Sequence, residues 1–288
     1  MTLLIRKESM NRFLIIANAD KDVNLRLSYK ISEYLSNYKA EAVIVSDVNR
    51  DYEDGILIKE KYLEGVQAVI VLGGDGTMLR AAHSLGEHNI PLLGINLGTL
   101  GFLTEVEESN VFHALDRLCR DDFGIERRIM IEGQVKNKTY HSLNDIVITR
   151  AGFSRIIGLS IYVNDQLLDT YEADGVIVAT PTGSTGYNLS AGGPIVSPKS
   201  KVIVVTPISP HSLTAKSVVF DSSDKIRIEI VKKRKTQDTE AIVSFDGDNN
   251  MELSAGDVVN ASLSSREISL IKMYDVNFYS VLRDKIGG

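Results

Sequence analysis

The sequence predicts a chain of two parts, an α/β domain followed by an antiparallel β domain, and three observations lead to this prediction. Up to about residue 125, apolar runs that suit buried strands alternate with helical patterns, which is typical of a parallel sheet with right-handed crossovers. From about Arg127 onward, short alternating runs replace that pattern. Asn137-Lys138 and Asn164-Asp165 stand where tight turns would join antiparallel strands. We therefore predict a Rossmann-like parallel α/β domain over 1–125 and a β-sandwich-like antiparallel domain over 126–270.

The elements of the first domain alternate between strand and helix along the chain. The first helix has Val23, Leu27, Ile31 and Leu35 on one apolar face, and Asp20 is its predicted cap. The third strand follows from an apolar run rich in β-branched residues, which suits a strand buried on both faces. The predicted strands cover 12–18, 41–46, 67–72 and 91–96, and two later helices cover 77–85 and 109–122.

A glycine turn, Gly73-Gly74-Asp75-Gly76-Thr77, separates the third strand from its helix. The glycines let the backbone turn sharply and approach a ligand, and the free N–H groups at a helix start suit a phosphate. The turn is neither a Walker A loop nor the dinucleotide G-x-G-x-x-G pattern. A carboxylate repels phosphate, so Asp75 needs another explanation. It could cap the helix, accept a proton from a hydroxyl that attacks a phosphoryl group, or help to hold Mg²⁺.

A second glycine-containing loop, Asn96 to Thr104, follows the strand at 91–96. Because it also stands at the carboxyl end of a strand, it is expected on the side of the sheet where ligands bind. Phe102 is the one large residue among small ones there. It could face a planar ring, or it could fill the core beneath the loop.

The second domain is predicted as a series of short strands. They cover 128–135, 140–149, 156–163, 166–170, 175–180, 202–206, 225–231, 241–246 and 258–263. Asn144-Asp145 stands inside one of them. Its groups could read an adenine edge and bind ribose hydroxyls, or simply form a turn. Thr180 to Pro194 is dense in hydroxyls and glycines, which indicates a loop that can line a polar ligand, with Tyr187 as a stacking surface. We interpret Pro207 to Leu213 and Phe245 to Asp248 as loops.

Composition excludes several other classes of protein. The 288 residues suffice for two cores, and a net charge of −6 gives no basis for nucleic acid or an anionic membrane as a partner. Cys119 is the only cysteine, so no intramolecular disulfide forms, and no zinc-ligand spacing appears. No apolar run approaches the roughly 20 residues of a membrane span, and the N-terminal apolar stretch is too short for a signal peptide. We expect a cytoplasmic protein.

Together these motifs resemble those of the bacterial NAD kinases. The glycine turn alone is shared with a wider kinase superfamily that includes diacylglycerol and sphingosine kinases and, with Ser in the last place, 6-phosphofructokinases. The combination is more specific and runs in the family's order from about Phe13 to the C-terminal segment. The matching stretches are 73–77, 97–104, 144–145, 174–175, 180–194 and 207–213. The resemblance implies an α/β N-terminal domain, a β-sandwich-like C-terminal domain and a last segment, 271–288, that returns to the first.

The resemblance also implies roles for residues at matching positions. Asp75 would accept the proton of the 2′-hydroxyl on the adenosine ribose of NAD, Gly76 would lie against the dinucleotide, and Arg80 would approach a phosphate. The phosphate loop would be completed by Gly73, Gly74 and Thr77. The other residues expected to contact NAD are Phe102, Asn144, Asp145, Arg155, Glu172, Asp174, Thr185, Gly186, Tyr187, Asn188, Leu189 and Ser190. Two positions depart from the family's pattern, which has Glu in place of Asp145 and often Gln in place of Asp248.

The implied reaction transfers the γ-phosphate of ATP to NAD and gives ADP and NADP. Mg²⁺ or another divalent cation would bridge the donor phosphates without a dedicated metal site on the protein, and polyphosphate could replace ATP. A homodimer or homotetramer is implied as well. Two alternatives stay open, a lipid kinase with the same glycine turn and a non-catalytic NAD(P)-binding sensor. The polar Thr180 to Pro194 loop and the lack of a membrane-binding stretch argue against the first, and an intact Asp75 argues against the second.

Overall fold

The computed structural model describes residues 10–46, 58, 60–151, 156–212, 214–232, 240–274 and 278–286. The chain divides into two compact units. Unit 1 comprises Met1–Arg127 with Ile268–Gly288, and unit 2 comprises Arg128–Glu267. The sequence predicts the corresponding boundaries near residues 125 and 270. Among the described residues, no helix has the length and apolar character needed to cross a membrane.

Unit 1 contains a parallel sheet with helices between its strands. Its elements are β1 (Arg12–Ala17), α1 (Arg26–Ser36), β2 (Glu41–Ser46), β3 (Ala68–Gly73), α2 (Asp75–Ser84), β4 (Leu92–Asn96), β5 (Val106–Glu107) and α3 (Val111–Cys119). Parallel pairing gives the order β2-β1-β3-β4, with β5 paired to β4. Every residue of β3 and β4 is buried, which explains the unbroken apolar sequence of these strands.

The strand order of unit 1 creates a place for a ligand. From β1 the chain goes to β2 on one side, and it then returns to β3 on the other side of β1. The winding direction therefore reverses between β1 and β3. In open α/β sheets, ligands bind at such a reversal, outside the carboxyl ends of the strands. Those ends are Asn18, after β1, and the glycine turn, after β3.

The start of α1 differs from its prediction. The carboxylate that accepts its first N–H groups belongs to Asp22, which bonds the N–H of Leu27 at 2.8 Å and of Ser28 at 3.0 Å. Asp20 is therefore the wrong residue for this role. Val23 is 64% exposed because it lies in a short 3₁₀ turn before α1, so it is not part of the apolar face. The face consists of Leu27, Ile31 and Leu35, as predicted.

Unit 2 consists of antiparallel strands in two sheets. The elements that follow α3 are β6 (Gly124–Val135), β7 (Lys138–Ser142), β8 (Asp145–Arg150), β9 (Ile157–Val163), β10 (Gln166–Ala173), β11 (Gly175–Ala179), α4 (Tyr187–Ser190), β12 (Val202–Ile208), β13 (Val218–Asp221), β14 (Ile226–Val231), β15 (Glu240–Phe245), β16 (Asp248–Ser254) and β17 (Val258–Lys272). One sheet has the order β13-β12-β11-β8-β15-β16, and the other contains β10-β9-β14-β17. Side chains from both share one apolar core, for example Ile148 and Val178 with Leu159 and Ile228. The predicted fold class is confirmed.

The strand prediction fails in unit 2 at two kinds of place. The predicted strand 140–149 is two strands, β7 and β8, with a break at Leu143-Asn144. The strands β13 and β16 were not predicted from the sequence. The polar sequence of β16 lacks an apolar alternation, because it is an edge strand whose first residues are mostly exposed.

The end of the chain belongs to unit 1. Leu270, near the end of β17, pairs in parallel with Leu92 of β4. The buried Glu105 carboxylate accepts the N–H groups of Met273 at 2.9 Å and Tyr274 at 2.6 Å. A last helix, α5 (Phe278–Ile286), follows.

Candidate functional site

Asp75 lies where β3 ends and α2 begins. The helix N-cap is Gly74 and carries no side-chain cap, so the interpretation of Asp75 as the cap is wrong. Its carboxylate instead accepts two backbone N–H groups of the loop after β4, from Phe102 at 2.8 Å and Leu103 at 3.0 Å. These bonds fix the carboxylate, while each oxygen keeps a further acceptor position. The carboxylate can thus accept a further hydrogen bond.

Two glycines are required by the close packing around Asp75. A Cβ at Gly101 would overlap the Asp75 carboxylate, and a Cβ at Gly73 would overlap the Thr77 side chain. Thr77 is only 3% exposed, and its hydroxyl accepts the Asn18 amide at 3.4 Å. Its N–H also donates to the Gly74 carbonyl, at 3.0 Å.

The first turn of α2 retains two N–H groups for a ligand. Those of Asp75 and Gly76 have no backbone partner among the described residues. Arg80 lies one turn further along, and its Nη1 is 3.8 Å from the position that a Cβ at Gly76 would occupy. Free N–H groups, the helix dipole and a guanidinium form an environment that favours an anion.

Phe102 contacts the C-terminal helix. Its ring centroid lies 5.8 Å from that of Phe278, and the Lys285 ammonium lies 5.0 Å from the centre of the Phe102 ring. The side chain is half-buried. Within unit 1, its aromatic and cationic partners are therefore side chains of α5.

Unit 2 contains a cavity of about 400 Å³ that brings several predicted residues together. Asn144, Asp145 and Tyr187 line it, as the sequence interpretation of these polar clusters requires. The remaining lining residues are Val147, Thr149, Ser244, Asp246 and Gly247. The cavity therefore combines an amide, two carboxylates, hydroxyls and an aromatic ring, the kinds of group that bind a nucleoside.

Asp246 organises this cavity, although the sequence indicated only a hairpin turn there. Its carboxylate accepts the N–H groups of Leu143 at 2.6 Å, Asn144 at 2.8 Å and Asp145 at 2.9 Å. Asp246 adopts a left-handed conformation with φ of +51°, and Gly247 follows with φ of +83°. These bonds fix the break between β7 and β8, and with it the position of Asn144.

Asp145 is a buried carboxyl group next to a second carboxylate. It is 6% exposed. Burial, together with the negative charge of Asp246, raises the pKa of Asp145 to about 7. Near neutral pH this group therefore exists in both protonation states, and it can accept or donate a hydrogen bond.

Comparison with known proteins agrees with these geometries. The model of the ATP-NAD kinase N-terminal domain matches residues 13–123, and that of the ATP-NAD kinase C-terminal domain matches residues 143–273. An NAD kinase of Lachnoclostridium phytofermentans is 45% identical over 287 residues, which cover 96% of this chain and 99% of the relative. An NAD kinase of Agathobacter rectalis is 44% identical over 280 residues, with the same coverage of both chains.

The chain belongs to the NAD kinase family. The resemblance inferred from the motifs is thereby confirmed, and neither the lipid kinase nor the sensor gains support. A solved NAD kinase from Archaeoglobus fulgidus, in complex with ATP, has a TM-score of 0.74 and 26% identity, covering 94% of this chain and 98% of its own. Yeast NADH kinase complexed with NADH has a TM-score of 0.87 at 24% identity, covering 98% of this chain and 88% of its own, and it supports the fold alone.

In this NAD kinase family member, the Thr180 to Pro194 loop covers the outer face of the β13-β12-β11-β8-β15-β16 sheet. Ala191 and Val196 pack against an apolar cluster that includes Ile177 and Val204. The Thr180 N–H donates to the Asn144 carbonyl at 2.8 Å, which ties the loop to the cavity. The loop therefore has a structural face as well as an exposed one.

Asn188 belongs to the structural face of this loop. It is fully buried, and its amide donates to the carbonyls of Ser184 at 3.1 Å and Pro194 at 3.0 Å. Its Oδ1 accepts the Thr206 hydroxyl at 2.7 Å. The side chain therefore supports the loop and does not face a ligand, which corrects the contact expected from the sequence.

The other predicted residues of unit 2 differ in their surroundings. Tyr187 is 45% exposed and Ser190 is exposed, whereas Thr185, Gly186 and Leu189 are partly exposed. Asp174 forms an ion pair with Arg150, whose Nε lies 2.8 Å from its Oδ1. Neither Asp174 nor Glu172 is among the residues that line the cavity. Arg155 lies outside the described residues.

Metal binding by the protein itself has no structural basis in the part of the chain that the structure describes. No three His, Cys, Asp or Glu side chains come together there in a group that could hold an ion. A divalent cation that arrives with the phosphates of a nucleotide needs no such group, because the phosphate oxygens are its ligands.

Proposed function

We propose that this protein transfers the γ-phosphate of MgATP to the 2′-hydroxyl of the adenosine ribose of NAD, giving NADP. The observation that carries the proposal is the intact Asp75 carboxylate, fixed by the N–H groups of Phe102 and Leu103, in a member of the NAD kinase family. A phosphoryl transfer to a hydroxyl needs an oriented acceptor and groups that neutralise the charge of the transferring phosphate.

The proposed role of Asp75 is to orient the hydroxyl and to take its proton. A carboxylate is a weak base for a sugar hydroxyl, so proton transfer is late, when the new bond to phosphorus has largely formed. The two N–H bonds to Asp75 hold both oxygens in place. Orientation is thus the larger part of its proposed contribution.

The proposed role of the first turn of α2 is to bind phosphate oxygens. The N–H groups of Asp75 and Gly76 and the guanidinium of Arg80 supply positive charge in fixed positions. Mg²⁺ belongs to the substrate, since it is held by the phosphates of ATP. The proposed phosphate loop consists of Gly73, Gly74 and Thr77.

The proposed role of the unit 2 cavity is to hold the nucleoside part of NAD. Asn144 supplies a donor and an acceptor for a base or an amide, Asp145 binds hydroxyls, and Tyr187 supplies a ring for stacking. Further proposed contacts come from the exposed side of the Thr180 to Pro194 loop and from Glu172, Asp174 and Arg155.

We further propose a cytoplasmic homodimer or homotetramer that uses ATP, with polyphosphate as a second possible donor. The family resemblance implies the oligomer. Sedimentation equilibrium at micromolar concentration checks the assembly, and a mass equal to that of one chain contradicts it.

The test of the function is NADP formation by purified protein supplied with NAD, ATP and Mg²⁺. Asp75→Asn should lower turnover by about 10²–10⁴-fold, because the amide cannot take a proton. Its NH2 group then faces the N–H of Phe102 or Leu103, so melting curves accompany the kinetics. The affinity for NAD should stay within a few-fold, since the unit 2 cavity is unaltered. Glu33→Gln, at an exposed position of α1, is the matched control and should behave as the unaltered protein.

Two outcomes would count against different parts of the proposal. If the unaltered protein forms no NADP with ATP or polyphosphate, the kinase function is refuted. If Asp75→Asn keeps full turnover while the unaltered protein is active, the function stands and the role of Asp75 is refuted.

A further inference from the structure

Lys21 lies at the reversal point of the unit 1 sheet. It follows Asn18, the residue directly after β1, and its N–H donates to the Asn18 carbonyl and side-chain oxygen, both at 3.1 Å. The Asn18 amide in turn lies 3.4 Å from the Thr77 hydroxyl of α2. The turn that carries Lys21 is therefore tied to the carboxyl ends of β1 and β3, between which the winding direction reverses.

The Lys21 ammonium lies over two bare stretches of backbone. It is 3.4 Å from the position that a Cβ at Gly74 would occupy and 3.5 Å from the corresponding position at Gly98. These glycines belong to the turn after β3 and the loop after β4. A surface lysine usually extends into water, whereas this one reaches back over the backbone that is expected to face the phosphates.

The charge of Lys21 is not neutralised by the protein. No carboxylate lies within ion-pair distance of its ammonium among the described residues, and the residue is exposed. Across the same turn, each oxygen of the Asp75 carboxylate accepts an N–H group of the loop after β4. Lys21 therefore adds a positive charge, with no carboxylate paired to it among the described residues, beside the N–H groups of Asp75 and Gly76.

We propose that Lys21 binds a nucleotide phosphate at the glycine turn during the kinase reaction. The inference rests on the proposed function and adds a residue that neither the motif comparison nor the sequence interpretation assigns. The lysine acts as a flexible point charge on phosphate oxygens, while the N–H groups of Asp75 and Gly76 supply the directional bonds. The phosphate belongs either to ATP or to NAD, whose phosphate oxygens have the same chemistry.

The experiment compares three variants in steady-state kinetics, varying MgATP at saturating NAD and NAD at saturating MgATP. Lys21→Gln should lower kcat/KM for one nucleotide by about 10–100-fold, because a cation that binds the phosphate of that nucleotide is lost. Lys21→Arg keeps the charge and should recover part of the loss. Lys30→Gln, on the exposed side of α1, is the matched control and should remain within about twofold. The arm in which KM rises identifies the nucleotide.

Thermal and salt measurements distinguish phosphate binding by Lys21 from a purely structural role. Phosphate binding predicts an unchanged melting temperature and a salt effect that depends on Lys21. Because the side chain is exposed and makes no hydrogen bond, the Lys21→Gln melting temperature should equal that of the unaltered protein. Added salt should raise the affected KM in the unaltered protein and do so less in Lys21→Gln, since screening acts on the missing charge. If Lys21→Gln matches both the unaltered protein and Lys30→Gln in both arms, the inference is overturned.

Direct titration distinguishes failure of the proposed kinase function from failure of the proposed Lys21 contact. Calorimetric binding of MgATP and of NAD to the unaltered protein and to Lys21→Gln needs no turnover. A protein that forms no NADP but loses affinity for either nucleotide in Lys21→Gln refutes the kinase function and retains the phosphate contact. Equal affinities for both nucleotides refute the contact.

Discussion

Asp145 of unit 2 is a buried carboxyl group that lines the cavity and has a charged neighbour. Its carboxyl group lines the cavity and is 6% exposed, and its nearest charged neighbour is Asp246 on the turn between β15 and β16. Asp246 is the more strongly bonded of the two, because it accepts three backbone N–H groups. Burial and the negative charge of Asp246 both disfavour the ionised form of Asp145, so the folded state holds its proton up to a higher pH, with a pKa of about 7.

The stability of unit 2 should depend on this proton. An unfolded Asp loses its proton near pH 4, whereas the folded state holds the pKa of Asp145 at about 7. Between these values the folded state binds more protons than the unfolded state, so stability falls as pH rises from about 4 to 7. Asp145→Asn, which cannot ionise, should be more stable than the unaltered protein at pH 8, by on the order of 1–3 kcal/mol, and the difference should shrink towards pH 5.

Urea denaturation followed across pH 5–8 measures this difference. Asp165→Asn, in an exposed turn of the same unit, is the control and should follow the unaltered protein at every pH. Curves for Asp145→Asn and the unaltered protein that stay parallel from pH 5 to 8 would show that Asp145 is already ionised in the folded state at pH 5.

At the scale of elements, one loop of unit 1 and the break between β7 and β8 in unit 2 are each held by a carboxylate that accepts backbone N–H groups. Asp75 holds the loop after β4, and Asp246 holds the break between β7 and β8. Both use fixed acceptors to position a neighbouring segment. In each case the positioned segment contains a predicted ligand-binding residue, Phe102 in one and Asn144 in the other.

The arrangement around Asp75 is easier to predict from the sequence than the one around Asp246. The reason is the distance along the chain between the parts of each arrangement. The strand, glycine turn and helix around Asp75 are adjacent in sequence, so periodicity and glycine content indicate them together. The partners of Asp246 lie 101 to 103 residues before it. Within its own hairpin, Asp246-Gly247 has the ordinary composition of a turn, and nothing local distinguishes it. The same holds for Lys21, whose neighbours Gly74 and Gly98 lie in the turn after β3 and in the loop after β4.

Asp246→Asn should loosen the Leu143 to Asp145 segment. Asn tolerates the left-handed conformation, so the turn itself persists. The NH2 group of Asn replaces one carboxylate oxygen, however, and the backbone N–H that bonded to that oxygen then lacks an acceptor. The loss should cost about 1–3 kcal/mol of stability, partly offset by the removal of repulsion with Asp145, and the KM for NAD should rise. Asp248→Asn, exposed in the same hairpin, is the matched control and should change stability by less than about 0.5 kcal/mol.

Chemical denaturation and NAD kinetics, measured on both variants, test this prediction. A rise in KM for Asp246→Asn without an equal rise for Asp248→Asn supports the positioning role. Equal kinetics for the two variants would assign Asp246 to the hairpin alone.

At the scale of the whole chain, unit 1 is assembled from both ends of the sequence. The strands β1 to β5 come from the first part of the chain, and the segment from Ile268 onward joins them. The residues between these two parts form unit 2. One buried side chain contributes several of the bonds that hold this segment. Glu105 is 5% exposed, accepts the N–H groups of Met273 and Tyr274 through Oε1, and its Oε2 lies 2.6 Å from the Lys272 ammonium. That last contact is an ion pair without hydrogen-bond geometry.

Glu105→Gln should therefore release the returning segment without unfolding the rest of unit 1. The amide oxygen can keep the two N–H bonds, but the amide nitrogen then faces the Lys272 ammonium, donor against donor. Breaking one side of a buried pair typically costs about 3–5 kcal/mol, and the partly exposed Lys272 lowers that figure because its ammonium can turn to water.

Hydrogen exchange should accelerate at Leu270 to Tyr274 by more than it does in α1, since local opening reports on local contacts. Glu107→Gln, exposed two residues away, should leave both regions unchanged. Adding Lys272→Met to Glu105→Gln should restore part of the protection by removing the opposed charge, and no restoration would show that Glu105 acts through its N–H bonds alone.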